Sequence, residues 1–339
     1  MVVESAPVPV SKQYHNILKV DKKKQEQWNS AMKEEIKSLY ERKVWDLVGL
    51  PKGYQPIKGR WVYAVKSDGH KKCHFITKEF TQVFRIDYEN TFSPVARFEI
   101  LRLLLSLAAL HDWELEALDV KTAFLFGELD KEIYMEQQEG FIVKGQERKV
   151  CWLMKISYGQ KQATPQWNKQ LHESLLEMRF THCTADPGTY YKITGDTIII
   201  LLIYVDDALF MGSNKAQLLN HKKKFMKWWE SHDLCKAKEY LGMRITRDRK
   251  AYTITLDQTY YVEKVAKYFG QENCKEVTTP LPTRYSSRSN EGNTNPTLQS
   301  CYQWVIGSLL YIMLGTRPDI AYSVIKMLQF FANSSEEHL

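Results

Sequence analysis

The 339-residue chain has no membrane-length apolar run, no signal-peptide pattern, no glycine-rich phosphate loop and no internal repeat. These gaps argue against a membrane protein, a secreted protein, a P-loop nucleotidase and a solenoid. Its six cysteines, Cys73, Cys151, Cys183, Cys235, Cys274 and Cys301, form no Cys-x-x-Cys pair, so reduced thiols in a cytoplasmic setting are expected rather than a disulfide framework. His70, Cys73 and His74 lie close together, but no second ligand pair follows at finger spacing, which argues against zinc. Nor is there a histone-like charge excess. The 47 Lys and Arg against 40 Asp and Glu give +7, a mild basic balance that favours nucleic acid without proving it. The length allows a large core divided into two or three lobes.

What the chain does contain is a run at residues 197–205 that is almost wholly apolar or aromatic and stops at Asp206-Asp207. Such a run reads as a strand buried on both faces and is too short to span a bilayer. Two adjacent carboxylates at its end fit either a solvated turn or a site that a divalent cation neutralises. A second acidic strand end strengthens the cation reading. Residues 113–120 alternate large apolar and acidic side chains (Trp113, Glu114, Leu115, Glu116), the pattern of a half-buried strand, and deliver Asp119 near its end. If the two strands are neighbours, three carboxylates converge, a hard-oxygen set suited to Mg²⁺ with substrate phosphates completing the shell.

The remaining pattern is mixed. Residues 1–20, with Pro7 and Pro9, read as a loose arm, and Trp28, Ala31, Met32, Ile36 and Leu39 mark a surface helix over 25–40. Strands are predicted at 45–48 and 60–65, with Gly69 turning the latter into a strand at 74–80. Residues 100–110 are apolar on nearly every side, which predicts a buried helix. Helices follow near 166–178 and 215–230, then paired strands at 238–246 and 251–256 and a helix at 260–269. Pro280, Pro282, Gly292 and Pro296 break the next stretch into a flexible linker, and helices are predicted at 300–314 and 318–332.

Tyr204-Val205-Asp206-Asp207 after the buried strand, with Asp119-Val120-Lys121-Thr122-Ala123-Phe124 upstream, resembles the reverse transcriptase of copia-type LTR retrotransposons. The resemblance is collinear from about Trp28 onward. It includes Lys58-Gly59-Arg60-Trp61-Val62, Thr91-Phe92-Ser93-Pro94-Val95, Tyr158-Gly159, Tyr240-Leu241-Gly242-Met243 and Thr316-Arg317-Pro318-Asp319-Ile320-Ala321-Tyr322. It implies an α+β right-hand polymerase fold with fingers, palm and thumb, the palm an antiparallel sheet packed on helices. The lobes it implies are an arm at 1–24, fingers with the first palm helix at 25–112, the palm at 113–246, a thumb-like region at 247–282, a flexible linker at 283–299 and the start of a connection at 300–339. The chain would then be a piece of a Pol polyprotein that stops before ribonuclease H.

The resemblance also implies RNA-directed DNA synthesis, with Asp119, Asp206 and Asp207 holding two Mg²⁺ ions, for which Mn²⁺ may substitute, and the Val120 carbonyl as an extra ligand. Phe124 would exclude a 2′-hydroxyl from the incoming nucleotide, although a core phenylalanine is the competing reading. Tyr158, Gly159, Lys161, Lys72 and Lys78 are further nucleotide-site candidates, with Lys66 and Lys71 beside them, and solvated lysines are the alternative. Tyr240, Leu241 and Gly242 match the primer grip. The basic run at 221–224, with Trp228 and Trp229, fits a single-strand groove less well than a helix with one wet and one packed face. Implied partners are an RNA or DNA template with its primer, dNTPs and other Gag and Pol parts, with no membrane, in cytoplasmic particles. Several residues depart from the family pattern: His74 for arginine, Glu79 and Cys235 for glycine, Ser157 and Gln160 for leucine, and Thr164-Pro165 for Pro-Arg. A weakly active or inactive relic that binds nucleic acid is therefore the second expectation.

Overall fold

The computed structural model describes Tyr14 and residues 21–65, 70–83, 87–88, 91, 93–121, 123, 128–156, 158–275, 277–282, 285–286, 290, 292 and 295–339. The elements run α1 (Lys22–Glu41), β1 (Trp45–Val48), β2 (Gly59–Val65), β3 (Lys71–Thr77), α2 (Phe98–Leu110), β4 (Glu114–Val120), β5 (Glu128–Met135), β6 (Val150–Lys155), α3 (Ala163–Glu177), β7 (Thr181–His182) and β8 (Thr189–Thr194). There follow β9 (Thr197–Tyr204), β10 (Asp207–Gly212), α4 (Lys215–Trp228), β11 (Ser231–Lys236), β12 (Glu239–Tyr240), β13 (Met243–Asp248), β14 (Thr253–Asp257), α5 (Thr259–Tyr268), α6 (Pro296–Gly315) and α7 (Ala321–Leu328). All the strand pairs that form sheets are antiparallel.

Two compact units result, one of Met1–Arg97 with Trp113–Lys236, the other of Phe98–Asp112 with Ala237–Leu339. The centre of the first is a six-stranded sheet in the order β11-β4-β10-β9-β8-β7. One face of that sheet, through Leu118, Val120, Leu201, Ile203, Ala208 and Phe210, packs on Trp167, Leu171 and Leu175 of α3 and Leu218 and Phe225 of α4. The β9 run is buried along most of its length, as its composition predicts. The strand β4 is not half-exposed as its alternation suggested: it lies between β10 and β11, and Glu116 is buried. A second core in this unit joins α1 to the β2–β3 hairpin and to the sheet β1-β6-β5 through Trp28, Met32, Leu39, Trp61, Phe75, Ile133 and Leu153.

In the second unit α2 packs on β14, Asp112 takes ion pairs from Arg247 (2.7 Å) and Arg249 (2.6 Å), and Arg102 donates to the Gly315 carbonyl at 2.8 Å. These contacts group α2 with Ala237–Leu339 rather than with the segment before it, unlike the expected lobe at 25–112. The helix is also less enclosed than its composition predicts, since Leu103 and Leu110 are exposed. Helix α1 starts at Lys22, where Asp21 caps the Lys24 amide at 3.0 Å, three residues before the expected start. Helix α6 starts at Pro296, inside the expected linker at 283–299, because Asn295 caps the Thr297 amide (2.9 Å) and proline suits the first helical turn. The strand expected at 74–80 runs from Lys71 to Thr77, and the one expected at 238–246 is a hairpin of β12 and β13. Among the described residues, no helix is long and apolar enough to cross a membrane.

The basic run on α4 divides as the packed-face reading predicts: His221 and Lys222 are buried, while Lys223 and Lys224 are exposed. Burial pushes the His221 imidazole down to about 4 from an ordinary 6.5, and the charges of Lys192 and Lys224 add to the shift. Between those values the unfolded chain binds a proton that the folded chain does not, so stability falls as pH drops from 6.5 towards 4. Urea midpoints at pH 7 and pH 5 test this. The wild type loses stability between them, and His221→Phe shrinks that loss.

Candidate active site

The turn between β9 and β10 has only two residues, Val205 and Asp206, because Tyr204 pairs with Asp207. Val205 adopts a left-handed conformation at φ 57°, a strained state for a β-branched residue that costs on the order of 1–3 kcal/mol. Packing and hydrogen bonding hold it there. Val205 is buried, its carbonyl accepts from the Trp167 indole at 2.7 Å, and the Asp206 carbonyl accepts from the Val120 amide at 2.9 Å.

Register then builds the site. Asp207 pairs with Asp119 across β10 and β4, and on the other side of β4 Asp119 pairs with His232 of β11. Directly opposed residues in antiparallel strands project from the same face, with Cβ atoms roughly 5 Å apart. His232, Asp119, Asp207 and Tyr204 therefore form one row across four strands. Because Leu118, Val120 and Ala208 point into the helix-packed core, Asp119 and Asp207 project from the opposite face, while the Tyr204 ring also packs against the core. Burial raises the Tyr204 phenol above its ordinary pKa, and the charge of Asp207 adds to the effect. Among the described residues, no group of three His, Cys, Asp or Glu side chains is gathered to hold a metal unaided. The donor chemistry of the row, two opposed carboxylates with Asp206 next in sequence, suits a hard divalent ion that keeps water and phosphate oxygens as its other ligands.

The other expected residues are distributed as follows. Val120 is buried beside the row. The Tyr158 carbonyl accepts from the Thr77 amide (2.8 Å) and hydroxyl (3.2 Å), and a Cβ on Gly159 (φ 84°) would stand 2.5 Å from the Thr77 carbonyl oxygen. The close backbone approach at Gly159 is thus made to β3. The Lys161 ammonium bonds the Tyr88 hydroxyl at 2.9 Å and sits 4.5 Å from its ring centroid. Lys71, Lys72 and Lys78 are half-buried on and after β3, and Lys71 lies 5.2 Å from the Trp28 ring. His74 contacts Glu35 at 3.2 Å, and its ring lies 5.2 Å from that of Tyr158. Tyr240, Leu241 and Gly242 belong to the second unit, where Leu241 (φ 52°) and Gly242 (φ 72°) form the tight turn between β12 and β13. The Tyr311 hydroxyl donates to the Leu241 carbonyl and stands 2.9 Å from where a Cβ on Gly242 would be. Phe124, Lys66, Gly69 and Ser157 fall outside the described residues, as does the side chain of Glu79.

Two features were missed from the sequence. His232 entered the row through β11, whose residues carry no apolar alternation to signal a strand. Lys222 reaches from α4 to Glu116 of β4 (2.7 Å), to Asp233 of β11 (2.5 Å) and to the Cys235 carbonyl (3.5 Å). Burial raises the Asp233 carboxyl, but the hydrogen bonds from Lys222 and from the Cys235 amide overcome it and hold the pKa below the usual range. Between Asp233 and Lys236 the register slips by one residue, a bulge, with Cys235 at φ 59°.

The chain belongs to the reverse transcriptase family: the family model described as "Reverse transcriptase (RNA-dependent DNA polymerase)" matches residues 42–283. Within it, the chain is related to Pol polyproteins of copia-type plant retrotransposons. It is 39% identical over 325 residues to the retrovirus-related Pol polyprotein from transposon TNT 1-94 of Nicotiana tabacum, covering 91% of this chain and 24% of that protein. It is 34% identical over 324 residues to the corresponding protein from transposon RE1 of Arabidopsis thaliana, covering 93% and 22%. A putative transposon Ty5-1 protein of Saccharomyces cerevisiae is 31% identical over 224 residues, covering 66% and 71%. The chain thus spans about a quarter of the length of the two plant relatives.

Cys235 is exposed and left-handed, where glycine carries no steric penalty. Cys235→Gly is expected to raise the unfolding free energy by about 1 kcal/mol, read from urea or thermal melts. An unchanged or lowered midpoint would contradict strain at the bulge.

Proposed function

We propose that this chain is an RNA-directed DNA polymerase that extends a primer 3′-hydroxyl with deoxynucleotides on an RNA or DNA template. The observation that carries the reading is the register of Asp119 against Asp207 at the mouth of a two-residue turn. Two carboxylates directly opposed repel each other, and the strands keep them so within a family defined by polymerase chemistry. Asp119 and Asp207, with Asp206 beside them, would hold Mg²⁺. Bound there, a divalent pair would neutralise triphosphate charge and lower the pKa of the attacking hydroxyl.

The protein's own work is positioning. The β4–β10 pairing fixes the carboxylates, and Trp167 fixes the turn that presents Asp206. The six-stranded sheet with α3 and α4 serves as the palm, and the β2–β3 hairpin as the fingers. Phe124 would exclude the 2′-hydroxyl, and Lys72, Lys78, Lys161, Tyr158 and Gly159 would line the nucleotide path. Tyr240, Leu241 and Gly242, in a tight hairpin turn, would support the primer end. Other Gag and Pol parts of the element are the proposed partners.

One observation favours weak turnover. His74, in place of the family's arginine, is engaged with Glu35 and offers no permanent cation to a phosphate. Incorporation of labelled dTTP on poly(rA)·oligo(dT) tests both readings. Mg²⁺- or Mn²⁺-dependent incorporation is expected, with a loss of at least about a hundredfold in Asp119→Asn and Asp207→Asn. Folded protein that binds primer–template in a salt-dependent way yet incorporates nothing would overturn the enzyme reading and leave a nucleic-acid-binding relic. If the His74 position limits turnover, His74→Arg raises activity through KM for dTTP.

A further inference from the structure

We propose that Lys222 is a positioning residue for the carboxylate row, locking the bulge of β11 so that His232 stays beside Asp119. The inference rests on reading that row as the nucleotidyl-transfer site. Strand register is normally set by which side chains are buried. The edge strand β11 lacks that control, because Ser231 is half-buried and every residue from His232 to Lys236 is exposed. The Lys121 amide ties its start to the Glu230 carbonyl at 2.8 Å. Beyond Asp233 the pairing breaks, with three steps along β11 matched to two along β4.

Lys222 closes that gap from the helix side. Its ammonium, in a side chain only 2% exposed, is shared between Glu116, the β4 partner of Lys236, and Asp233, the β4-paired residue next to His232. Asp233 in turn accepts the Cys235 amide at 2.7 Å, while Lys222 donates to the Cys235 carbonyl at 3.5 Å. Both sides of the left-handed residue are therefore held by one ionic cluster. A slip of one residue would turn His232 to the other face and set either Ser231 or Asp233 against Asp119. The second outcome would add a third carboxylate to the row. With the cluster intact, Asp119 is paired with His232 on one side and with Asp207 on the other.

The test uses the full chain with Lys222→Met and, in case that variant does not fold, Asp233→Asn, which neutralises only the outer carboxylate. Amide hydrogen exchange over 231–236 is read against α3 as an internal control, beside kcat and KM for dTTP incorporation. Exchange in β11 is expected to rise about tenfold or more with α3 unchanged. The kcat is expected to fall about tenfold while KM for dTTP holds, with partial recovery when Cys235→Gly is added to Asp233→Asn. Unchanged β11 exchange, an equal rise in α3, or full kcat in the variants would overturn the proposal. A wild-type chain that incorporates nothing defeats the reading of the row instead, and the exchange data still decide whether Lys222 holds the bulge.

Discussion

The antiparallel pairing of β4 with β10 sets Asp119 opposite Asp207, and the rest of the first unit can be understood as the means of keeping that pairing in register. Opposed carboxylates on neighbouring strands work against the sheet, so the strands must gain stability elsewhere. They do so on the other face, where Leu118, Val120, Ala208 and Phe210 pack on α3 and α4. Period-two alternation makes the two jobs compatible: apolar residues bind the helices, and the acids between them face away. Beyond the acids both faces are buried, over Ala208 to Gly212 of β10 and Leu115 to Leu118 of β4, so packing on both sides of the sheet and the Trp167 bond at the turn hold the geometry of the row.

The ends of the row need separate devices. At one end, a left-handed valine is tolerated because its side chain is buried and its carbonyl is bound by Trp167. At the other, an exposed edge strand without an apolar face is held by a buried lysine shared between two carboxylates. Breaking such a buried cluster at one member strands a charge in a poorly solvated site, which makes its members mutually dependent. The structure thus spends strain and buried charge at the same edge of the sheet as the acids.

How much of this was legible in the sequence depended on local signals. The apolar run of β9 announced a buried strand, and its abrupt end in two acids marked the two-residue turn that carries Asp206. Alternation placed Asp119 near the end of a second strand. The same alternation misled at Glu116, because its partner Lys222 lies 106 residues away and no local pattern reveals a neutralising cation. β11 left no periodic trace, so His232 was not placed in the row. The start of α6 was not legible because prolines read as linker signals, although Pro296 follows an asparagine cap and opens a helix. The glycine expected in place of Cys235 did carry information, since the position is left-handed.

Divalent-metal binding at the carboxylate row, as proposed, is read by iron-mediated cleavage. Fe²⁺ replaces Mg²⁺ in the protein with primer–template and dNTP, and ascorbate generates hydroxyl radicals at the bound ion. Metal bound there would give backbone cuts confined to the segments around Asp119 and around Val205 to Asp207, suppressed by excess Mg²⁺ and lost in Asp119→Asn. Cuts elsewhere only, or a pattern indifferent to Mg²⁺ and to that substitution, would contradict it.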